Sequence, residues 1–245
     1  MNETIKLIKS HKSIRKYLDK PVEDSIIKEI ISSAQAASTS SFMQAYTIIN
    51  VMDNEKRKTI RVLSGDQSYI EECPLFLVFC ADIHKFEIAC DLNNDHMEQG
   101  YTEAFIIATV DAALAAQNAM LAAESLGLGG VYIGGIRNNP KEISKLLELP
   151  DNVYAVFGMC LGYPAENPDT KLRLPLDVVC CIDKYDVDNK TDLIKHYDKK
   201  ISDYYISRTN GLRSDTWTEQ IAKHVSRPLR PHMKEFLNSK GLLKK

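Results

Sequence analysis

The stretch Glu103–Leu126 constrains the fold more than any other part of the chain. It reads EAFIIATVDAALAAQNAMLAAESL, with no proline or glycine, and Gly127 follows it. Such a run predicts one long helix of roughly 36 Å at about 1.5 Å per residue. Its surface is apolar nearly all round, so it should lie buried between other elements. Its many alanines let a second helix approach closely, which suits a dimer interface. Thr109, Asp111, Gln117, Asn118 and Glu124 interrupt the run, so no stretch of eighteen apolar residues exists and no membrane span is expected.

The rest of the chain alternates helical and strand patterns around it. After Pro21, Ile26, Ile27, Ile30, Ile31 and Ala34 recur at helical spacing. Thr47–Met52 reads as a short strand, Glu55–Leu63 as a helix, and the apolar run Leu75–Ala81 as a buried strand. Gly127–Gly130 should stop the long helix, and Val131–Ile133 should form a strand that turns at once at Gly134 and Gly135. Asn139-Pro140 is a cap followed by a first-turn proline, predicting a helix over Pro140–Leu147. Val153–Leu161 is another buried strand, and the last seventy residues are polar, with helices expected over Asp192–Tyr205 and Pro231–Ser239. Interleaved strands and helices indicate an α/β or α+β sandwich. The polar tail cannot make a core of its own, so residues 1–175 are expected to form the core and 176–245 an extension wrapping it or a partner subunit.

Charge is distributed unevenly. The formal net charge is −2, but residues 190–245 carry thirteen Lys/Arg against six Asp/Glu, and residues 1–189 carry eighteen against twenty-seven. The basic tail suits a solvated surface or the steering of a phosphorylated ligand, two readings that composition leaves open. Six cysteines show no framework spacing, and the N-terminal residues lack the apolar run of a signal peptide. Reduced, mostly buried thiols and a cytoplasmic location are therefore expected.

Several chemistries fail on spacing. Gly127 and Gly129 begin a dinucleotide fingerprint whose third glycine position is Tyr132, and a helix rather than a strand precedes them. Asp91–Asp95 imitates a calcium loop, but His96 and Thr102 stand where glycine and glutamate are needed. No closely spaced Cys/His set supports zinc, and no Gly-x-Ser-x-Gly elbow is present. Tyr204, Tyr205, Arg208, Arg213, Trp217, Arg227 and Arg230 interleave aromatics with arginine, but the chain's acidity argues against nucleic acid. More promising are two basic clusters. His11, Lys12, Ser13 and Arg15 fall within five residues, and Lys171 and Arg173 sit in a loop bounded by prolines. Charge-assisted hydrogen bonds of about 1.5–3 kcal/mol each let such donors hold a phosphate, although on composition alone two unrelated solvated surface patches are the commoner use of such residues.

Together, five segments carry a resemblance: HKSIR at His11–Arg15, ASTSSFMQ at Ala37–Gln44, AESLGLGGVYIGGIRNN ending at Asn139, GMCLGYPAENPDTKLRLP at Gly158–Pro175, and YYISRTNGLRSDTW at Tyr204–Trp217. In this order they resemble the oxygen-insensitive NADPH nitroreductase/flavin reductase family. The resemblance implies an α+β sandwich, with a central, mostly antiparallel sheet flanked by helices, a C-terminal extension, and a homodimer binding FMN without a covalent bond. It implies an FMN-dependent oxidoreductase that moves hydride from NADPH or NADH through FMN to nitroaromatics, quinones or flavins by a ping-pong mechanism. A flavin reductase releasing reduced FMN and a flavin-binding sensor without turnover are the alternatives. Small-molecule electron acceptors are the implied partners, with no nucleic acid, membrane or metal.

By position, the resemblance gives His11, Lys12, Ser13 and Arg15 to the flavin phosphate and ribityl chain, with Lys171 and Arg173 as a second phosphate pair. Thr39, Ser41 and Gln67 match residues bonding the ribityl chain or the ring's polar edge. Tyr132, Ile133, Gly134 and Gly135 match the segment under the ring. Arg208 and Arg213 match the loop for the donor's phosphate, and Arg230 a substrate-positioning residue, with Arg227 as its alternative. Lys12 stands where the family has arginine and Thr39 where it has serine. The loop 208–214 is poorer in arginine than in NADPH-selective members, which leaves the donor preference open.

Overall fold

The computed structural model describes residues 1–186, 188 and 190–245. They group into two compact units, one of residues 1–169 with 232–245 and one of residues 170–231. The expected core of 1–175 thus ends six residues inside the second unit, and the last fourteen residues pack with the first. Asn152 N–H donates to the Lys240 carbonyl (2.7 Å), and Lys240 Nζ to the Leu149 carbonyl (2.9 Å).

The first unit contains helices α1 (Glu3–Lys9) and α2 (Asp24–Gln35), strand β1 (Tyr46–Asn50), helices α3 (Asn54–Leu63) and α4 (Tyr69–Glu72), strand β2 (Leu75–Asp82), helices α5 (His84–Leu92) and α6 (Thr102–Ser125), strand β3 (Gly129–Ile133), helix α7 (Pro140–Leu146) and strand β4 (Val153–Gly162). The second holds α8 (Leu176–Val179), α9 (Lys190–Arg208) and α10 (Trp217–Val225), and α11 (Met233–Ser239) returns to the first. The four strands form one antiparallel sheet in the order β1-β2-β4-β3.

Strand periodicity divides the core in two. Leu75, Leu77, Phe79 and Ala81 of β2 face the side covered by α2 and α6, and Phe76, Val78 and Cys80 face the side closed by Ile60, Ile70 and Ile143 of α3, α4 and α7. In β4 the parity changes midway. Tyr154 and Val156 join the first cluster, but beyond them Met159 and Leu161 do. The cause is a bulge: Phe79 pairs with Phe157 and Cys80 with Ala155, leaving Val156 as the extra residue. The Val156 carbonyl accepts a hydrogen bond from Arg137 Nη1, so the disturbed ladder keeps a partner there.

Helix α6 is the axis of the first unit. Ala108, Ala112, Ala115, Ala116, Ala119 and Ala123 are buried, and their small side chains let the helix lie close to the sheet and to α2. It ends as expected: Gly127 takes φ +82°, its N–H donates to the Glu124 carbonyl (3.1 Å), and Leu128 N–H donates to the Ala123 carbonyl (2.9 Å). By length and composition this helix alone, among the described residues, would reach across a membrane, yet it packs as a core helix against the sheet. It is not buried all round, however. Ile106, Val110 and Leu114 are 47%, 48% and 43% exposed and lie four residues apart on one face. Cys73, Cys80 and Cys160 are buried as expected of reduced thiols, Cys90 and Cys181 are half-buried, and Cys180 is exposed.

Candidate functional site

The first basic cluster is fixed to the edge of the sheet. Ser13 bridges to Gly130 in β3, and Ile14 N–H donates to the Gly130 carbonyl (2.9 Å) while its side chain is buried. The Tyr17 hydroxyl donates to the Ile14 carbonyl (2.7 Å), and burial raises that phenol far above its ordinary range. Two carboxylates shape the segment further. Glu124, near the end of α6, lies 2.6 Å from His11 Nδ1, and Glu166 Oε1 accepts from the Arg15 and Lys16 N–H groups (2.6 and 3.1 Å). Lys12 Nζ donates to Asn167 Oδ1. Among the described residues the Ser13 hydroxyl has no hydrogen-bond partner, and no carboxylate lies within ion-pair distance of the Arg15 guanidinium. These two groups are therefore available to an anion.

Four residues along the same strand, the chain turns through Gly134–Arg137. At about 3.3 Å per residue, Gly134 stands about 13 Å from Gly130. The second glycine is demanded by crowding. A Cβ on Gly135 would lie 2.2 Å from the Ser64 carbonyl oxygen and 2.5 Å from Gln67 Nε2. Gln67 is itself held by its own Nε2 donating to that carbonyl (2.7 Å) and by Oε1 accepting from the Tyr69 hydroxyl. Gln67 and Gly135, far apart in sequence, are therefore neighbours. Ile133 is wholly buried, so its backbone alone can serve a ligand. Tyr132 is half-buried, with its hydroxyl 3.4 Å from Gln117 Oε1, and burial together with the Glu124 carboxylate raises its phenol.

Thr39 and Ser41 belong to a strained loop. Ser41, Phe42 and Gln44 take φ of +46°, +59° and +53° without being glycine. The brace is Asp111, buried on α6: Oδ1 accepts from Ser40 N–H (3.1 Å) and Oδ2 from Ala45 N–H (3.0 Å). Thr39 Oγ1 accepts from Gln44 N–H (3.3 Å) across the same turn. Asp111, Glu124 and Glu166 are the residues that motif reading missed. An acid inside an alanine-rich helix was a visible signal for Asp111.

In the second unit, Lys171 and Arg173 are exposed, and no carboxylate pairs with either among the described residues. Arg208 Nη1 donates to the Tyr204 hydroxyl (2.8 Å). The Arg213 guanidinium sits 4.3 Å from the centre of the Tyr205 ring and pairs with Asp215 (2.8 Å). Arg230 has a left-handed backbone, φ +47°. No group of three or more His, Cys, Asp or Glu able to hold a metal occurs among the described residues.

The chain has relatives among known proteins. The model of the nitroreductase family matches residues 8–163, and that of the nitroreductase family's C-terminal domain matches residues 171–245. The chain is 42% identical to the NADPH-flavin oxidoreductase of Vibrio harveyi, over all of both chains. It is 41% identical to the oxygen-insensitive NADPH nitroreductase of Salmonella typhimurium, over 98% of each. Its fold superposes on the structure of NfrA1 from B. megaterium with a TM-score of 0.97 and 46% identity, over 99% of this chain and 100% of that one.

Proposed function

The chain belongs to the nitroreductase family, and from that premise we propose that it is an FMN-dependent oxidoreductase carrying hydride from NADPH or NADH to nitroaromatics, quinones or flavins. The observation that carries the reading is the joining of the His11–Arg15 segment to Gly130 of β3, on the strand that ends in the Gly134-Gly135 turn. A cation-rich segment and a glycine turn about 13 Å apart suit the two ends of one flavin mononucleotide.

The donor set fits that group. The Ser13 hydroxyl and the Arg15 guanidinium supply a donor and a charge for the phosphate, with His11 and Lys12 beside them. Glu166 orients the Arg15 backbone, and Glu124 holds His11. Gln67, Thr39 and Ser41 offer polar atoms to the ribityl chain or the ring's polar edge. The Gly134-Gly135 turn lets a flat ring approach the backbone, with Tyr132 and the Ile133 backbone beside it. Lys171 and Arg173 are assigned to the phosphate, Arg208 and Arg213 to the donor's phosphate and Arg230 to substrate positioning, on the resemblance. When bound, FMN supplies a two-electron carrier between donor and acceptor. The chain's part is to hold the cofactor, leave one face open, and offer N–H dipoles and cations where negative charge gathers on the ring. No side chain is required as acid or base, because proximity and stacking do most of the work. Donor and acceptor using the same face in turn gives ping-pong kinetics.

We assign the exposed stripe of Ile106, Val110 and Leu114 to a homodimer interface. The cytoplasm suits its free cysteines. Purified protein is expected to be yellow, or to take up FMN on titration, and to oxidise NADPH steadily with a quinone. Colourless protein that binds no FMN overturns the proposal. FMN binding without NADPH or NADH oxidation would leave a sensor instead. The name of the Vibrio relative favours free flavin as an acceptor, and turnover of flavin against a nitroaromatic with one donor decides between the two.

A further inference from the structure

An open groove of about 440 Å³ runs between α7 and α11 of the first unit. Lys141, Ser144 and Lys145 line it from one face of α7, at spacings of three and four residues. Lys240, just past the end of α11, lines it too. Three lysines thus border one space, against a single carboxylate, that of Glu148. Phe236 and Leu149 give the groove an apolar part.

Helix stability does not account for these lysines. Lys141 stands in the first turn of α7, where the helix dipole disfavours a cation. Lys145 follows one turn later, and like charges at that spacing repel. Among the described residues neither ammonium makes a hydrogen bond or an ion pair. Lys240 is different, because its side chain is only 12% exposed. Its Nζ donates to the Leu149 carbonyl (2.9 Å) and lies 3.5 Å from Asp151, an exposed carboxylate. An ammonium has three donors, so one is left over. Ser144 supplies an independent observation. It is 7% exposed, and its buried hydroxyl has no hydrogen-bond partner among the described residues. Buried hydroxyls are rarely left so, and a change of rotamer would bring this one to an oxygen bound between the lysines.

Several lysines around one space suit a dianion better than a monoanion, because each attraction grows with the charge. A phosphate monoester has that charge and three acceptor oxygens. The volume lies in the range of small-molecule sites, and Phe236 and Leu149 suit an organic group on the ester oxygen. We infer that the groove between α7 and α11 binds a small organic phosphate monoester, its oxygens held by Lys141, Lys145, Lys240 and Ser144. Glu148 opposes it locally. The groove shares no residue with the basic clusters at 11–15 and 171–173, and the inference does not depend on the flavin reading.

The probe is phenyl phosphate, titrated calorimetrically into protein saturated with FMN. Saturable binding is expected, with benzenesulfonate, a monoanion of similar shape, at least tenfold weaker. Lys141→Gln with Lys145→Gln should weaken phenyl phosphate at least tenfold, and Ser144→Ala severalfold. Glu148→Gln should tighten it severalfold. NADPH oxidation with a quinone should keep the wild-type rate in all of these variants. Vesicles containing phosphatidic acid present the same group on a lipid. Sedimentation with them that the lysine double variant loses would name a lipid as the source, and no sedimentation a soluble ester. Absence of saturable binding, or equal binding of benzenesulfonate, overturns the inference. So does binding that the lysine double variant keeps, and its loss in Arg208→Ala would then place the phosphate on the donor loop. If the wild type fails to oxidise NADPH, the proposed function falls while the titration still decides this site.

Discussion

Gly135 and Gln67 show how much of the site rests on single atoms. A methyl group at 135 would press on the Ser64 carbonyl, which is backbone, and on Gln67 Nε2. The backbone atom cannot move aside, so Gln67 must leave its place and the turn must shift. Overpacking of this kind costs about 1–3 kcal/mol. Gly135→Ala is expected to lower Tm by several degrees and to weaken FMN at least tenfold in a flavin-fluorescence titration. Gly127→Ala is the contrast. Its φ of +82° imposes a penalty of about 1 kcal/mol, but nothing lies within 4 Å of the added atom, and flavin affinity should hold. Equal flavin affinities for the two variants would remove Gly135 and Gln67 from the site. Nothing in the spacing of residues 67 and 135 announces their contact, and the resemblance alone pointed to both. Glu124 and Glu166 were illegible for the same reason. Each acts on the 11–16 segment from a distant part of the sequence, and a lone glutamate carries no local pattern.

At the scale of the element, the loop 40–45 and helix α6 act as one device. Three left-handed residues between Ser40 and Ala45 cost free energy that the surroundings must offset. Asp111 does this by accepting from the N–H at each end of the loop. Removing it orphans two N–H groups, at about 1–3 kcal/mol for each that stays buried. Asp111→Ala should therefore lose about 2–4 kcal/mol in urea unfolding and weaken FMN by releasing Thr39 and Ser41. Asp111→Asn keeps one acceptor but turns an amine toward the other N–H, so it should recover half of the loss at most. An alanine variant with unchanged unfolding and flavin affinity would show that the loop holds itself. In the sequence Asp111 read as an interruption of an apolar run, whereas it is the residue that ties that run to the site. Elements with strong periodicity, such as α6, β2 and β4, were legible to within two residues. Helices α1 and α5 were not, because neither buries a residue and so neither has an apolar face to read. Helix α10 was missed although Thr216 and Glu219 spell a capping box.

The whole molecule is built to keep several acids protonated, which fixes its response to alkali. Burial, and after it Asp82, pushes the Cys80 thiol from 9.0 up to about 12, and burial also raises the Tyr17 and Tyr132 phenols. The unfolded chain releases the Cys80 proton near pH 9 while the folded chain keeps it to about pH 12. Stability from this group is therefore complete below pH 9 and is lost as pH rises toward 12, at about 1.4 kcal/mol per pH unit. Urea midpoints should be flat from pH 7 to 8 and fall above pH 9, and Cys80→Ala should start lower but decline less steeply. Parallel declines would rule out the thiol as a cause. The proposed dimer rests on a different surface. Ile106, Val110 and Leu114 form a ridge on the longest helix, at a length over which a second copy of α6 can lie across the first. Val110 is the middle residue of that ridge and directly precedes Asp111, so packing there also steadies the brace of the 40–45 loop. Val110→Lys would place a charge in an apolar contact with no counter-ion, which an interface does not tolerate. Sedimentation should find a dimer for the wild type and a monomer for the variant, and the monomer should bind FMN at least tenfold more weakly. A wild-type monomer, or a dimer indifferent to the lysine, would mean that this ridge does not join two subunits.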